Sequence, residues 1–142
     1  MAVRMKPIAR IGLDGLDGYT QRVQARQHEL RADEPASHGG NDAGPAPYEL
    51  LLASLGACTA ITLRMYAERK GWELGALHLD LAFFKDEENE RVEREVRVGH
   101  ALSDDQRARL LEICDRTPVT RTLWPAMTIT TRLTSTEGQE PS

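Results

Sequence analysis

The chain has 142 residues, 40% of them hydrophobic and 28% charged, and 22 acids against 18 bases leave a net charge of −4. The charges are mixed along the chain, which excludes the basic patch of a nucleic-acid binder, and the size fits one domain. Two cysteines, Cys58 and Cys114, are too few for a disulfide framework or a zinc site, and the four histidines lack metal-ligand spacing, so no metal or cofactor is expected.

Residues 2–11 predict a first strand, with Pro7 marking a bend or an edge position. Gly12 to Gly18 reads as a Gly/Asp turn. Alternation from Tyr19 to Ala25 and the short run 28–32 predict two more strands, giving a small antiparallel meander. Residues 33–47 hold three prolines and three glycines and read as a loop. The N-terminus has no apolar signal-like segment, so residence in the cytoplasm, where thiols stay reduced, is expected.

A helix follows. Pro47 suits its first position, Glu49 its first turn, Arg69 and Lys70 its last turn, and Gly71 a left-handed cap. No charge falls between Glu49 and Arg64. Apolar residues cover every face of that half, which predicts burial all round. The 14 uncharged residues are too few to span a bilayer, so no membrane is expected as a partner. The middle is built of small residues (Ala53, Ser54, Gly56, Ala57, Cys58, Thr59, Ala60). Gly costs about 1 kcal/mol against Ala in a helix, so Gly56 points to a close neighbour. Such a helix is about 36 Å long. One small chain cannot cover all of it, and a homodimer with the helix at or near the interface is predicted.

After Gly71 the period changes to two. Leu77, Leu79, Leu81 and Phe83 share one face of a strand. Residues 85–90 form a polar hairpin turn, and Val92, Arg94, Val96 and Val98 then alternate with Glu93, Glu95 and Arg97. Ser103 and Gln106 make a capping box for a helix whose inner face carries Leu110, Leu111, Ile113 and Cys114. That helix ends before Pro118, where Thr117-Pro118 opens a short helix to about Leu123. Met127 to Leu133 alternates as a last strand, and 135–142 is a polar tail expected to fray, leaving a single domain over 1–134. The order β-β-β-α-β-β-α-α-β groups its strands in runs, which predicts an α+β fold.

Neither a nucleophile elbow nor a phosphate loop is present: Leu52-Ala-Ser54-Leu-Gly56 lacks the leading Gly, and Gly40 to Gly44 has no Gly-Lys-Ser/Thr after it. Chemistry therefore rests on Cys58. On its residues alone Cys58 reads equally as a small buried hydrophobe, as does Cys114 on an inner helix face.

Gly44-Pro-Ala-Pro-Tyr-Glu-Leu-Leu-Leu-Ala-Ser-Leu-Gly-Ala-Cys58-Thr-Ala-Ile-Thr-Leu resembles the signature of the OsmC/Ohr proteins, the osmotically inducible and organic hydroperoxide resistance family. Thr117-Pro-Val-Thr-Arg-Thr-Leu123 is similar to its second motif. The resemblance runs from about residue 12 to 133. It implies an intertwined α+β homodimer with active sites at the interface, and a thiol peroxidase acting on organic hydroperoxides. Cys58 matches the peroxidatic cysteine, whose sulfenic acid a second thiol must resolve. The chain departs from the pattern at three places. Thr117 stands where the second motif carries the resolving cysteine, leaving Cys114 or an external dithiol for that step. Tyr48 stands where the family has its glutamate; Glu49 comes one place later, half a turn from Cys58 at about 100° per residue. The loop after the first strand lacks the family's arginine, and Arg22 is the nearest candidate. These departures leave open a second reading: a non-catalytic dimer that binds a small lipophilic ligand or senses oxidants.

Overall fold

The computed structural model describes residues 5–135. The chain falls into two compact units, one up to Leu50 and one from Leu51 onward.

The first unit is a three-stranded antiparallel meander in the order β1 (Gly12–Gly15), β2 (Gln21–Ala25), β3 (His28–Ala32). The expected strand over 2–11 is not found among its described residues, 5–11, which are irregular; residues 1–4 lie outside the described part. The strand lies instead in the Gly/Asp stretch, because Gly12 to Gly15 pairs with Gln24 to Gln21. The turn is confined to the residues after it, where Leu16 N donates to Thr20 O and Gly18 takes φ +60°. Leu13, Val23 and Leu30 stand opposite one another in one cross-strand row. Beyond β3, the buried Asp33 organises the loop. Its carboxylate accepts from Thr20 Oγ1 at 2.7 Å, from Glu34 N at 2.7 Å and from Ala43 N at 3.2 Å.

Helix α1 runs from Pro47 to Lys70, with Pro47 at its start and Gly71 at φ +71° after its end, as the sequence predicts. In the second unit, β4 (Leu77–Lys85) and β5 (Glu90–Val98) form a hairpin. Its turn is an Asx turn, with Asp86 Oδ1 accepting from Glu88 N and Asn89 N. Helix α2 (Asp104–Cys114) opens on the expected capping box, with Ser103 and Gln106 bonded reciprocally. Helix α3 (Pro118–Leu123) follows with Pro118 in its first turn. Strand β6 (Thr128–Ser135) then joins β5 in parallel, giving the sheet order β4-β5-β6. A parallel neighbour needs a long crossover, and α2 and α3 provide it. Ser135 belongs to β6, and the rest of the expected tail lies outside the described residues.

The inner face of this sheet holds two apolar clusters. Leu55 of α1 meets Val92 and Ile129 in one. Leu63 and Ala67 meet Val96, Val98, Leu102, Leu110, Cys114 and Leu133 in the other. Gly56 explains its own presence, since a Cβ there would come within 3.0 Å of Leu81 Cδ1. Burial of α1 is not all round. Leu55, Thr59, Leu63 and Ala67 form a buried stripe, whereas Ile61 is 59% and Met65 55% exposed. Residues two apart on a helix point in nearly opposite directions, so the stripe Ala53, Ala57, Ile61, Met65 lies opposite the buried one. By length and mean hydropathy α1 also meets the criterion for a membrane span, although its buried stripe is that of a core helix.

Candidate active site

Cys58 lies on α1 between the buried and the exposed stripes, because the residue before Thr59 is rotated about 100° from it. Its thiol is free and half-buried. The small residues that the sequence concentrates around it leave this flank of the helix open: Ala53, Ser54 and Ala57 are exposed, while Gly56 and Ala60 are half-buried.

Against Thr59, the residue after Cys58, stands Arg94, a residue the sequence reading passed over as a functional candidate. Its side chain projects from β5 on the inner face of the sheet, in the row Leu81–Arg94–Thr131, and it is 1% exposed. Every nitrogen of the guanidinium is engaged. Nε and Nη2 donate to Thr131 Oγ1 at 3.0 and 2.8 Å. Nη1 donates to Thr59 Oγ1 at 2.8 Å and to Thr120 Oγ1 at 2.9 Å, and Nη2 to the Cys114 carbonyl at 3.0 Å. Thr59 in turn donates to Leu55 O at 2.7 Å, which fixes its rotamer. Burial pushes the guanidinium pKa down, and its electrostatic coupling to Cys114, Asp115 and Cys58 opposes that. Such a group remains charged at any physiological pH. Taking it out of water costs several kcal/mol, which this full set of acceptors offsets.

Cys114 is fully buried in the larger apolar cluster, and burial pushes its thiol up to about 11, against the pull of Arg94. It is thus a neutral thiol at pH 7. Thr117 is also buried, and its Oγ1 lies 2.6 Å from Thr120 Oγ1. The first residue of the second motif therefore joins the Arg94 network through one hydroxyl.

The other two expected residues have partners within the first unit. Glu49 Oε1 accepts from Ala46 N at 2.7 Å, the reach-back half of a capping box, on an exposed side chain. Arg22 pairs with Asp14 across the β1–β2 ladder at 2.5 Å, and that hydrogen bond raises its pKa. A groove of about 440 Å³ crosses the outer face of the second sheet, along the rows of Asp80, Glu95 and Arg132 and of Ala82, Glu93 and Thr130. No cysteine lines it, and two of its carboxylates are paired, Glu95 with Arg132 and Asp80 with the neighbouring Arg97. The residue that sequence reasoning missed had a signal: an arginine in register with Val92, Val96 and Val98 on an apolar face.

A search of curated proteins finds no match. Solved structures do match. A putative osmotic stress induced and detoxification response protein from Psychrobacter arcticus superposes with a TM-score of 0.81 at 13% identity, over 92% of this chain and 99% of that one. A putative organic hydroperoxide resistance protein from Vibrio cholerae, with captopril bound in one of its active sites, gives 0.65 at 16% identity, over 94% and 95%. The organic hydroperoxide resistance protein OhrB of Bacillus subtilis gives 0.65 at 18% identity, over 88% and 96%. At these identities the likeness shows the fold, which is the expected α+β arrangement. Residues 39–132, which contain both sequence motifs, match the family model described as OsmC-like protein, and the chain belongs to that family.

Proposed function

We propose that this protein is a thiol-dependent peroxidase that reduces organic hydroperoxides, with Cys58 as the peroxidatic thiol. The observation that carries the reading is a free, half-buried thiol in the family's central-helix motif, followed in the chain by Thr59, whose hydroxyl accepts from the buried Arg94 guanidinium. The Cys58 thiolate attacks the peroxide O–O bond. An S–O bond forms, the O–O bond breaks, and the leaving alkoxide takes a proton to become an alcohol. Sulfur is oxidised to the sulfenic acid and the hydroperoxide is reduced. Cys114, buried and neutral, is a poor resolving thiol. An external dithiol then completes the cycle: its first thiol condenses with the sulfenic acid and releases water, and its second displaces Cys58 and leaves as a disulfide. The cycle belongs to a cytoplasmic homodimer, in which a second copy covers Ile61 and Met65.

Consumption of cumene hydroperoxide with dithiothreitol, by wild type and Cys58→Ser, tests this. Turnover is expected in the wild type and its loss in the variant; equal rates would end the reading. Thr117 in place of a second-motif cysteine favours one alternative, a non-catalytic dimer that binds a small lipophilic ligand or senses oxidants. Equal rates in the two proteins, with a lipophilic dye still bound by both, would support it.

A further inference from the structure

Arg94 is the one buried cation among the described residues. Its hydrogen-bond acceptors are three threonine hydroxyls and one backbone carbonyl, all neutral. The nearest carboxylate oxygen, Asp115 Oδ1, is 4.0 Å from Nη2 on a side chain 55% exposed. The positive charge is thus held by dipoles and only weakly neutralised, in a region where the low dielectric lets it act on neighbouring groups. It is also fixed in place. Thr131 ties it to β6, Thr120 to α3, the Cys114 carbonyl to the end of α2, and Thr59 to α1. Thr59 directly precedes no other candidate; it is the residue that follows Cys58. A helix N-terminus offers this thiol little, since Cys58 lies well beyond the first turn of α1.

We propose that Arg94 is the positioning residue for the Cys58 reaction: its bond to Thr59 sets the rotation of α1 that presents the sulfur, and its fixed charge draws anionic reagents toward that sulfur. This inference rests on the reactive-thiol reading above and gives that thiol's own unit a fixed cation. Arg94 exchanges no proton and forms no bond to substrate. Its effect is on where the sulfur points and on which charged reagents reach it.

The test compares alkylation of Cys58 by neutral iodoacetamide and by anionic iodoacetate at pH 7, read peptide by peptide by mass spectrometry. In the wild type, the iodoacetate-to-iodoacetamide rate ratio at Cys58 should exceed that of a free cysteine peptide by about twofold or more, because a fixed cation attracts the anion. Arg94→Gln should bring the ratio to the peptide value, whereas Arg94→Lys should retain most of the excess. A purely structural role would change both reagents alike. A wild-type ratio no higher than that of the peptide overturns the inference without any variant, as does an unchanged ratio in folded Arg94→Gln. If wild-type Cys58 reacts with neither reagent and no hydroperoxide is consumed, the peroxidase reading itself fails. Turnover with a peptide-like ratio removes Arg94 alone.

Discussion

Among the described residues the two units each bury one charged side chain, Asp33 in the first and Arg94 in the second, and neither has a buried counter-charge. Both are held by hydroxyls and backbone groups. Asp33 accepts from Thr20 and from amides of its own loop, so its charge is used up in closing that loop. Arg94 binds groups from four different elements and stands near two thiols. The same device serves a turn in one place and candidate chemistry in the other. What differs is the neighbours: Asp33 is surrounded by donors alone, Arg94 by acceptors and by groups that can ionise.

Three substitutions press on that contrast. The largest effect is expected for Thr131→Val, which removes the acceptor of two Arg94 bonds and leaves buried donors of a charged group unpaired. A loss of about 2–3 kcal/mol in urea unfolding is expected, and a change below about 0.5 kcal/mol would mean that the network is not tightly satisfied. Next comes Cys114→Ala. The folded protein holds the Cys114 proton up to about pH 11 while the unfolded chain releases it near 9.0, so wild-type stability should fall by about 2 kcal/mol as pH rises between these values. The variant should lack that portion of the slope, while losing about 1 kcal/mol near pH 7 to the smaller side chain. The smallest is Asp33→Asn. Hydrogen bonding, first from Thr20, holds the carboxylate below its ordinary range, so its contribution is present above that range and is lost on acidification. The stability difference between wild type and variant should be largest near pH 7 and close in acid. A pH-independent difference would show that Asp33 acts by shape and not by charge.

Elements with a strong local signal were legible in the sequence. Pro47 and Gly71 bracket α1, Ser103 and Gln106 open α2, and alternation marks β4 and β5. The first strand was not legible, because Gly12-Leu-Asp-Gly15 carries turn composition and becomes a strand only by pairing with β2. Burial of α1 was overestimated for a related reason: apolar residues on every face say what the helix tolerates, and one sheet covers one stripe. Arg94 was legible in a way that needs three elements at once. Leu55-Thr59-Leu63, Val92-Arg94-Val96 and Ile129-Thr131-Leu133 each interrupt an apolar run with one polar group. Each interruption alone is unremarkable. Only the register of β5 against β6, and the bond from Arg94 to Thr59, show that the three coincide as one polar layer between two apolar clusters.

The parallel pairing of β6 with β5 also bears on how the protein is made. Thr131 lies 37 residues after Arg94 along the chain, and it arrives only when the last strand docks. During synthesis the guanidinium must wait in water until both crossover helices and β6 have left the ribosome. Completion of the sheet and desolvation of the cation are then one event, so a chain cut short before β6 would hold its cysteines in an environment unlike that of the finished protein.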